Sequence, residues 1–219
     1  MSFVKEFDHS PLLNHPSRIL VAGPTNSGKT HLVRRLLEEP CFTDMPKKIL
    51  YCYTAWQKTY DELQKQKLPI TFHQGFPATM IEDRDYWPAD GGPYMIVLDD
   101  LQHDQNDVLL RLQQIYSHHY NISVILVWQS LFGHCKLQAQ ISRQCNHLFL
   151  MSSKRDFRAL SVLGSQLLPK NNGAFVRLFQ EATVEPYSFL HCDLDSRTPS
   201  ELRFRGSLPS EERQVVYLQ

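Results

Sequence analysis

What the sequence lacks narrows its reading before any motif does. Neither sign of charge is in excess: Lys plus Arg and Asp plus Glu both total 23. Neutrality argues against a protein that holds nucleic acid by overall charge, so any such contact must come from a local patch. The five cysteines, Cys41, Cys52, Cys135, Cys145 and Cys192, form no C-x-x-C pair. No stretch resembles a signal peptide or an apolar span of about 20 residues, so we expect a reducing, intracellular compartment and no membrane partner. His134-Cys135 and Cys145-x-His147 supply zinc-competent side chains, but their irregular spacing does not match a zinc pattern. Internal repeats, low-complexity tracts and long charge runs are also missing. What remains is a chain of 219 residues, long enough to bury a full core in one domain. Only the start through Pro16 and the tail after Asp195 look loosely structured. We therefore expect an N-terminal arm over 1–17, one domain over 18–195 and a tail over 196–219.

The stretch 18–37, RILVAGPTNSGKTHLVRRLL, joins an apolar run, a glycine loop and an amphipathic helix. Gly23, Gly28, Lys29 and Thr30 satisfy G-x-x-x-x-G-K-[ST] between the strand and helix that the motif requires. A turn from Gly23 to Gly28 aims successive backbone N–H groups at an anion, and the helix N-terminus adds partial positive charge. The motif thus predicts that Gly23, Pro24, Thr25, Asn26, Ser27, Gly28, Lys29, Thr30 and His31 cradle a nucleoside triphosphate. Lys29 is expected at the β- and γ-phosphate oxygens and Thr30 on Mg²⁺.

Residues 94–101, YMIVLDDL, run four apolar side chains into two adjacent carboxylates. An interior parallel strand is apolar on both faces, so acids belong where it emerges at its C-terminal edge, the edge at which open α/β sheets bind ligands. Asp99 is the candidate Mg²⁺ ligand, directly or through water, and Asp100 the base that orients and deprotonates the attacking water. The next strand, 122–128 (ISVILVW), ends in Gln129-Ser130 at the same edge. Gln129 is accordingly a candidate sensor for the γ-phosphate or the lytic water. Between them, 105–120 has helical spacing. Further short runs at 48–53 and 68–72 read as strands around a helix over 56–67, and HLFLM at 147–151 as another strand. A helix over 157–168 follows the turn that carries Arg155, an arginine able to compensate transition-state charge in cis or from a neighbour; Arg143 is a lesser candidate. Residues 174–194 alternate apolar and polar positions around Glu185-Pro186 and predict a C-terminal β-hairpin. Arg177 within it either contacts DNA or faces water.

Six stretches in this order, GPTNSGKTHLVRRLL, YCYTAWQKTYDEL, ITFHQGFP, YMIVLDDL, YSHHYNISVILVWQSLF and SSKRDFRAL, resemble the genome-packaging ATPases of the FtsK/HerA superfamily. The likeness is to the short forms of Polinton/Maverick elements and adintovirus-like viruses, more distantly to the poxvirus packaging ATPase. It covers roughly 18–195. The resemblance implies an α/β P-loop NTPase with a mainly parallel sheet sandwiched by helices, a RecA/FtsK-like core. It further implies an ATP- and Mg²⁺-dependent motor, assembled as a homo-oligomeric ring, that moves double-stranded DNA into a viral capsid at a portal-like vertex. Such a motor works in the host nucleus or cytoplasm where virions assemble, and can accompany the virion. By the family pattern Gly23 through Thr30 bind ATP, Asp99 and Asp100 form Walker B, and Gln129 is the sensor. Three positions depart from it: Ser130 stands where relatives have Asn, Gln138-Ala139 where an Arg is common, and Ser153-Lys154 where Asn-Pro precedes the Arg-Asp. These departures and the neutral charge leave a second reading, an adaptor or assembly protein gated by ATP that translocates nothing.

Overall fold

A computed structural model describes residues 3–7, 12–88, 91–101, 107–132, 136–155, 157–169, 171–212 and 214–218. One ten-stranded sheet organises the chain, in the order β1-β10-β9-β8-β7-β2-β6-β5-β3-β4. The strands are β1 (Phe3–Phe7), β2 (Arg18–Ala22), β3 (Lys48–Tyr53), β4 (Ile70–Gln74), β5 (Tyr94–Asp99), β6 (Ile122–Trp128), β7 (His147–Met151), β8 (Phe189–Asp193), β9 (Phe204–Arg205) and β10 (Gln214–Leu218). From β4 to β7 all pairings are parallel; β8, β9, β10 and β1 extend the sheet antiparallel.

The inner parallel strands β2, β3, β5, β6 and β7 are buried on both faces, which is why they read as mainly apolar runs rather than alternations, whereas β4 at the sheet edge is only half-buried. Ile19, Val21, Met95, Val97, Ile125 and Val127 pack on one side against α1 (Lys29–Glu38) and α2 (Lys58–Lys65). Leu20, Ala22, Ile96, Leu98, Val124 and Leu126 pack on the other side. The covering helices there are α3 (Ala78–Glu82), α4 (Asp107–Arg111), α6 (Lys136–Gln144), α7 (Phe157–Leu167) and α8 (Asn172–Ala182). α4 runs through a π-helical turn, Leu112–Tyr116, into α5 (Ser117–His119).

Two expectations are corrected here. The hairpin across Glu185-Pro186 does not form: its first half is α8, and only its second half is a strand, β8. Phe175, Leu178, Phe179 and Ala182 are the buried positions, spaced i, i+3, i+4, i+7, and this helical stripe packs beside α7 in place of a pleat. The antiparallel C-terminal strands are β8, β9 and β10 instead. The segments expected to be loose also carry strands, β1 pairing with β10 from Phe3 opposite Leu218 to Phe7 opposite Gln214. Leu13 is fully buried and bridges to Phe42.

Candidate functional site

The P-loop strand β2 lies between β6 and β7, and its C-terminal end turns directly into the loop. The loop's backbone explains its residues. Asn26 and Gly28 both have positive φ, 62° and 97°, a region open to glycine and tolerated by asparagine. A Cβ on Gly23 would lie 2.6 Å from Met151 Cβ, so no larger residue fits there. Gly28 stands at the N-cap of α1, and no side chain caps the helix. The N–H groups of its first turn are therefore left to an anion or water. Ser27 Oγ is buried with no hydrogen-bond partner among the described residues, a further polar atom that the loop itself does not satisfy. Gly23 N–H donates to Trp128 O at 3.2 Å, which ties the loop to the end of β6.

The chemistry-bearing side chains converge on this loop. Lys29 Nζ donates to the carbonyls of Gly23 at 2.7 Å and Pro24 at 2.8 Å. Partial burial pulls its pKa down, offset by the charges of Asp100 and Asp99. Asp99 ends β5 at 2% exposure, and its Oδ2 accepts from Tyr51 at 2.8 Å, Tyr60 at 2.9 Å and Thr30 Oγ1 at 3.4 Å. Burial raises its pKa, while the two phenols work the other way. Asp100, one residue on, is exposed at φ 57° with its N–H on Val127 O and its carbonyl accepting from Thr54. That strained backbone is the kind stored at functional sites. It points the carboxylate along the sheet edge, where Gln129 Nε2 donates to Asp100 Oδ1 at 3.0 Å.

A cleft of about 690 Å³ is lined by Gly28, Lys29, Thr30, His31, Asp99, Asp100 and Gln129. A second, of about 680 Å³, adjoins it and is lined by Pro24 and its neighbours in the loop, by Ser152 to Arg155, and by Gln129, Pro186 and Tyr187. Every P-loop position expected at the nucleotide thus borders one or other cleft, except Gly23, which forms the loop's buried base. Arg155 is on the second cleft's wall, on the β7 side of the loop, and shares that cleft with Gln129. Arg143 is elsewhere: its Nε donates to Ala139 O on its own helix, and it lines a different cavity with Leu131 and Leu163. Arg177 is exposed on α8.

Three contributors escaped the sequence reading. Tyr51 and Tyr60, which fix Asp99, lie in runs that the sequence marks only as a strand over 48–53 and a helix over 56–67. Tyr187 at the rim carried no signal beyond its place after Pro186.

The zinc-competent residues do not assemble as sequence neighbours. His134 and Cys135 lie outside the described residues. Cys145 Sγ, fully buried, faces Ile141 O and Gln113 Nε2, each at 3.7 Å. His147 instead joins His191 and Asp193, with His147 Nδ1 at 3.3 Å from His191 Nε2 and 3.5 Å from Asp193 Oδ1. Arg205 Nη2 occupies the far side, 2.6 Å from Asp193 Oδ2 and 3.3 Å from His191 Nδ1. An arginine donating to Nδ1 leaves the proton of neutral His191 on Nε2, directed at His147 rather than free for a cation. The cluster is therefore a buried hydrogen-bonded ion pair.

The loop that follows β2, the central of the three strands β6, β2 and β7, thus shares one sheet edge with Asp99 and Asp100 at the end of β5 and Gln129 just after β6. No family model matches the chain, and no curated protein is similar to it. Among solved structures it is similar to the cytoplasmic domain of the type VII secretion ATPase EccC from Thermomonospora curvata. The TM-score is 0.52 and the identity 13%, over 93% of this chain and 24% of that one. The fold is that of a P-loop ATPase. ATPases 2 and 3 of EccC with a signal sequence peptide match at TM-score 0.49 and 12% identity, over 93% of this chain and 36% of theirs. A KaiC-like protein from Pyrococcus horikoshii OT3 matches at TM-score 0.44 and 11% identity, over 94% of this chain and 90% of that one. This chain spans about a quarter of the EccC chain's length. At such identities the likeness speaks to the fold, and the reading of the site rests on its own geometry.

Proposed function

We propose that this chain is an ATP-hydrolysing motor that moves double-stranded DNA into a preformed viral capsid, acting as a homo-oligomeric ring at a capsid or portal-like vertex. The observation that carries the hydrolytic half is the 3.0 Å bond from Gln129 to Asp100, beside Lys29, Thr30 and Asp99. A loop that only held nucleotide would have no use for an exposed carboxylate aligned by an amide at the same edge. The residues present fit a magnesium nucleotide: two carboxylates face one ammonium, and the first turn of α1 is uncapped. Thr30 and Asp99 would hold Mg²⁺, which when bound supplies charge neutralisation at the phosphate oxygens. Lys29 binds the β- and γ-phosphates, leaving the Gly23 and Pro24 carbonyls for them. Asp100 accepts the proton of the attacking water, and Gln129 orients both. Arg155, placed on the loop's own side, supplies positive charge in cis.

The DNA-moving half is supported by the ordered set of stretches shared with FtsK/HerA packaging ATPases, from the P-loop to SSKRDFRAL. On this reading the protein works in the host nucleus or cytoplasm at sites of virion assembly. The test is the ATPase rate with and without duplex DNA, alongside mass determination with a non-hydrolysable ATP analogue. A motor gives DNA-stimulated turnover and a ring-sized particle. Slow turnover indifferent to DNA, with ATP-dependent capsid binding, selects the adaptor reading, and a monomer under all conditions contradicts the motor.

A further inference from the structure

Between α8 and β8 the chain makes a tight turn, Ser188 N–H donating to Glu185 O at 3.2 Å. Pro186 takes its second position and Tyr187 its third, with φ 66°. This is the pattern of a type II turn, whose third position favours glycine or asparagine. Tyrosine is neither, and its ring does not fill the core: Tyr187 is 68% exposed. The ring instead hangs over the phosphate loop. A Cβ on Gly28 would lie 3.0 Å from Tyr187 Cδ1, and Tyr187 borders both clefts at once. A strained, exposed aromatic held at the rim of a ligand cleft calls for a ligand that uses its face.

We propose that Tyr187 is the base-binding residue of the nucleotide site, its ring stacking on the base of a bound nucleoside triphosphate. The proposal rests on the reading that the P-loop holds a nucleotide, and it adds what recognises the base. The division of the rim supports it. Lys29, Thr30, Asp99 and Asp100 give the first cleft the chemistry of phosphates and a cation. The second cleft, across Tyr187, is lined by hydroxyls, prolines, the amides of Asn26 and Gln129 and the cations Lys154 and Arg155, with no acid among its described lining. Aromatic faces bind bases with little regard to sequence because every base has a π-face.

Calorimetric titration of the full chain with Mg²⁺-ATP and with Mg²⁺-tripolyphosphate separates the base from the phosphates. Tyr187→Ala should weaken ATP about tenfold, equivalent to 1.4 kcal/mol, and leave tripolyphosphate within about twofold. Tyr187→Phe, which keeps the ring, should stay close to wild type for both, and Tyr187→Gly, which relieves the turn, should match Tyr187→Ala in affinity without losing thermal stability. Unchanged ATP affinity in Tyr187→Ala overturns the proposal, as does an equal loss for both ligands, which would make the ring a packing contact of Gly28. Wild-type protein that binds tripolyphosphate but gains nothing from the base also overturns it while sparing the phosphate loop. Binding of neither ligand by wild type instead removes the nucleotide site itself.

Discussion

Replacing Tyr51 with phenylalanine tests the support of Asp99 at its strongest point. Tyr51 is fully buried on β3 and donates to Asp99 Oδ2 at 2.8 Å, the shortest of the three hydroxyl contacts on that oxygen. The substitution keeps the ring and deletes one bond to a carboxylate, worth about 1.5–3 kcal/mol. For a chain of this length that lowers the melting temperature by about 3–12 °C. The deficit has a characteristic pH dependence. Burial raises the pKa of Asp99 and the phenols restrain it, so losing one phenol lets the folded chain take up a proton at higher pH. The penalty is full while Asp99 is ionised and shrinks on acidification, once the carboxyl is neutral in the folded protein. Urea unfolding at pH 8 and pH 5 measures both effects, and Asp99→Asn completes a double-mutant cycle. A Tyr51→Phe protein within about 0.5 kcal/mol of wild type at pH 8, on the scale of a neutral surface change, refutes the reasoning. So does an undiminished deficit in the Asp99→Asn background.

Two other expectations follow from the same geometry. Burial pulls the pKa of His147 to about 4, only partly opposed by Asp193. Burial, reinforced by the charge of Arg205, lowers His191 in the same direction. The unfolded chain therefore binds protons that the folded one refuses, and stability present above about pH 6.5 is lost as pH falls toward 4, by up to about 3 kcal/mol from His147 alone. Urea midpoints from pH 7 to 4 should fall more steeply for wild type than for His147→Gln; equal slopes would count against the buried pair. Arg155→Ala should lower kcat about 10³-fold if this residue is the positive charge at the reacting phosphate, read in steady-state phosphate release; a loss under threefold removes it from that role.

The sequence made the central strands and the acids at their ends legible for one physical reason. β2, β5, β6 and β7 are covered on both faces, so burial wrote mainly apolar runs, and the polar residues that end β5 and follow β6, Asp99, Asp100 and Gln129, marked the sheet edge. Lys29, Thr30, Asp99, Asp100 and Gln129 lie together because the parallel register brings those strand ends to one edge; Asp99 stands level with Val127. α8 was misread because Phe175, Leu178 and Phe179 fit a helical stripe while their intervening polar residues imitate a pleat. The convergence of Tyr51 and Tyr60 on Asp99 needs β3 beside β5 and α2 against that face, contacts far apart in the chain. Nor could β1 be read: it has no partner until β10, at the other end of the sequence.

The central claim is that Lys29, Thr30, Asp99, Asp100 and Gln129 form one hydrolytic site. The most direct measurement is Mg²⁺-dependent phosphate release from ATP by wild type, Lys29→Ala and Asp100→Asn, each with its ATP affinity. The account predicts turnover by wild type, lost binding in Lys29→Ala, and retained binding with a rate at least about 10²-fold lower in Asp100→Asn. Turnover by Asp100→Asn equal to wild type, or none by wild type that binds ATP, would contradict it.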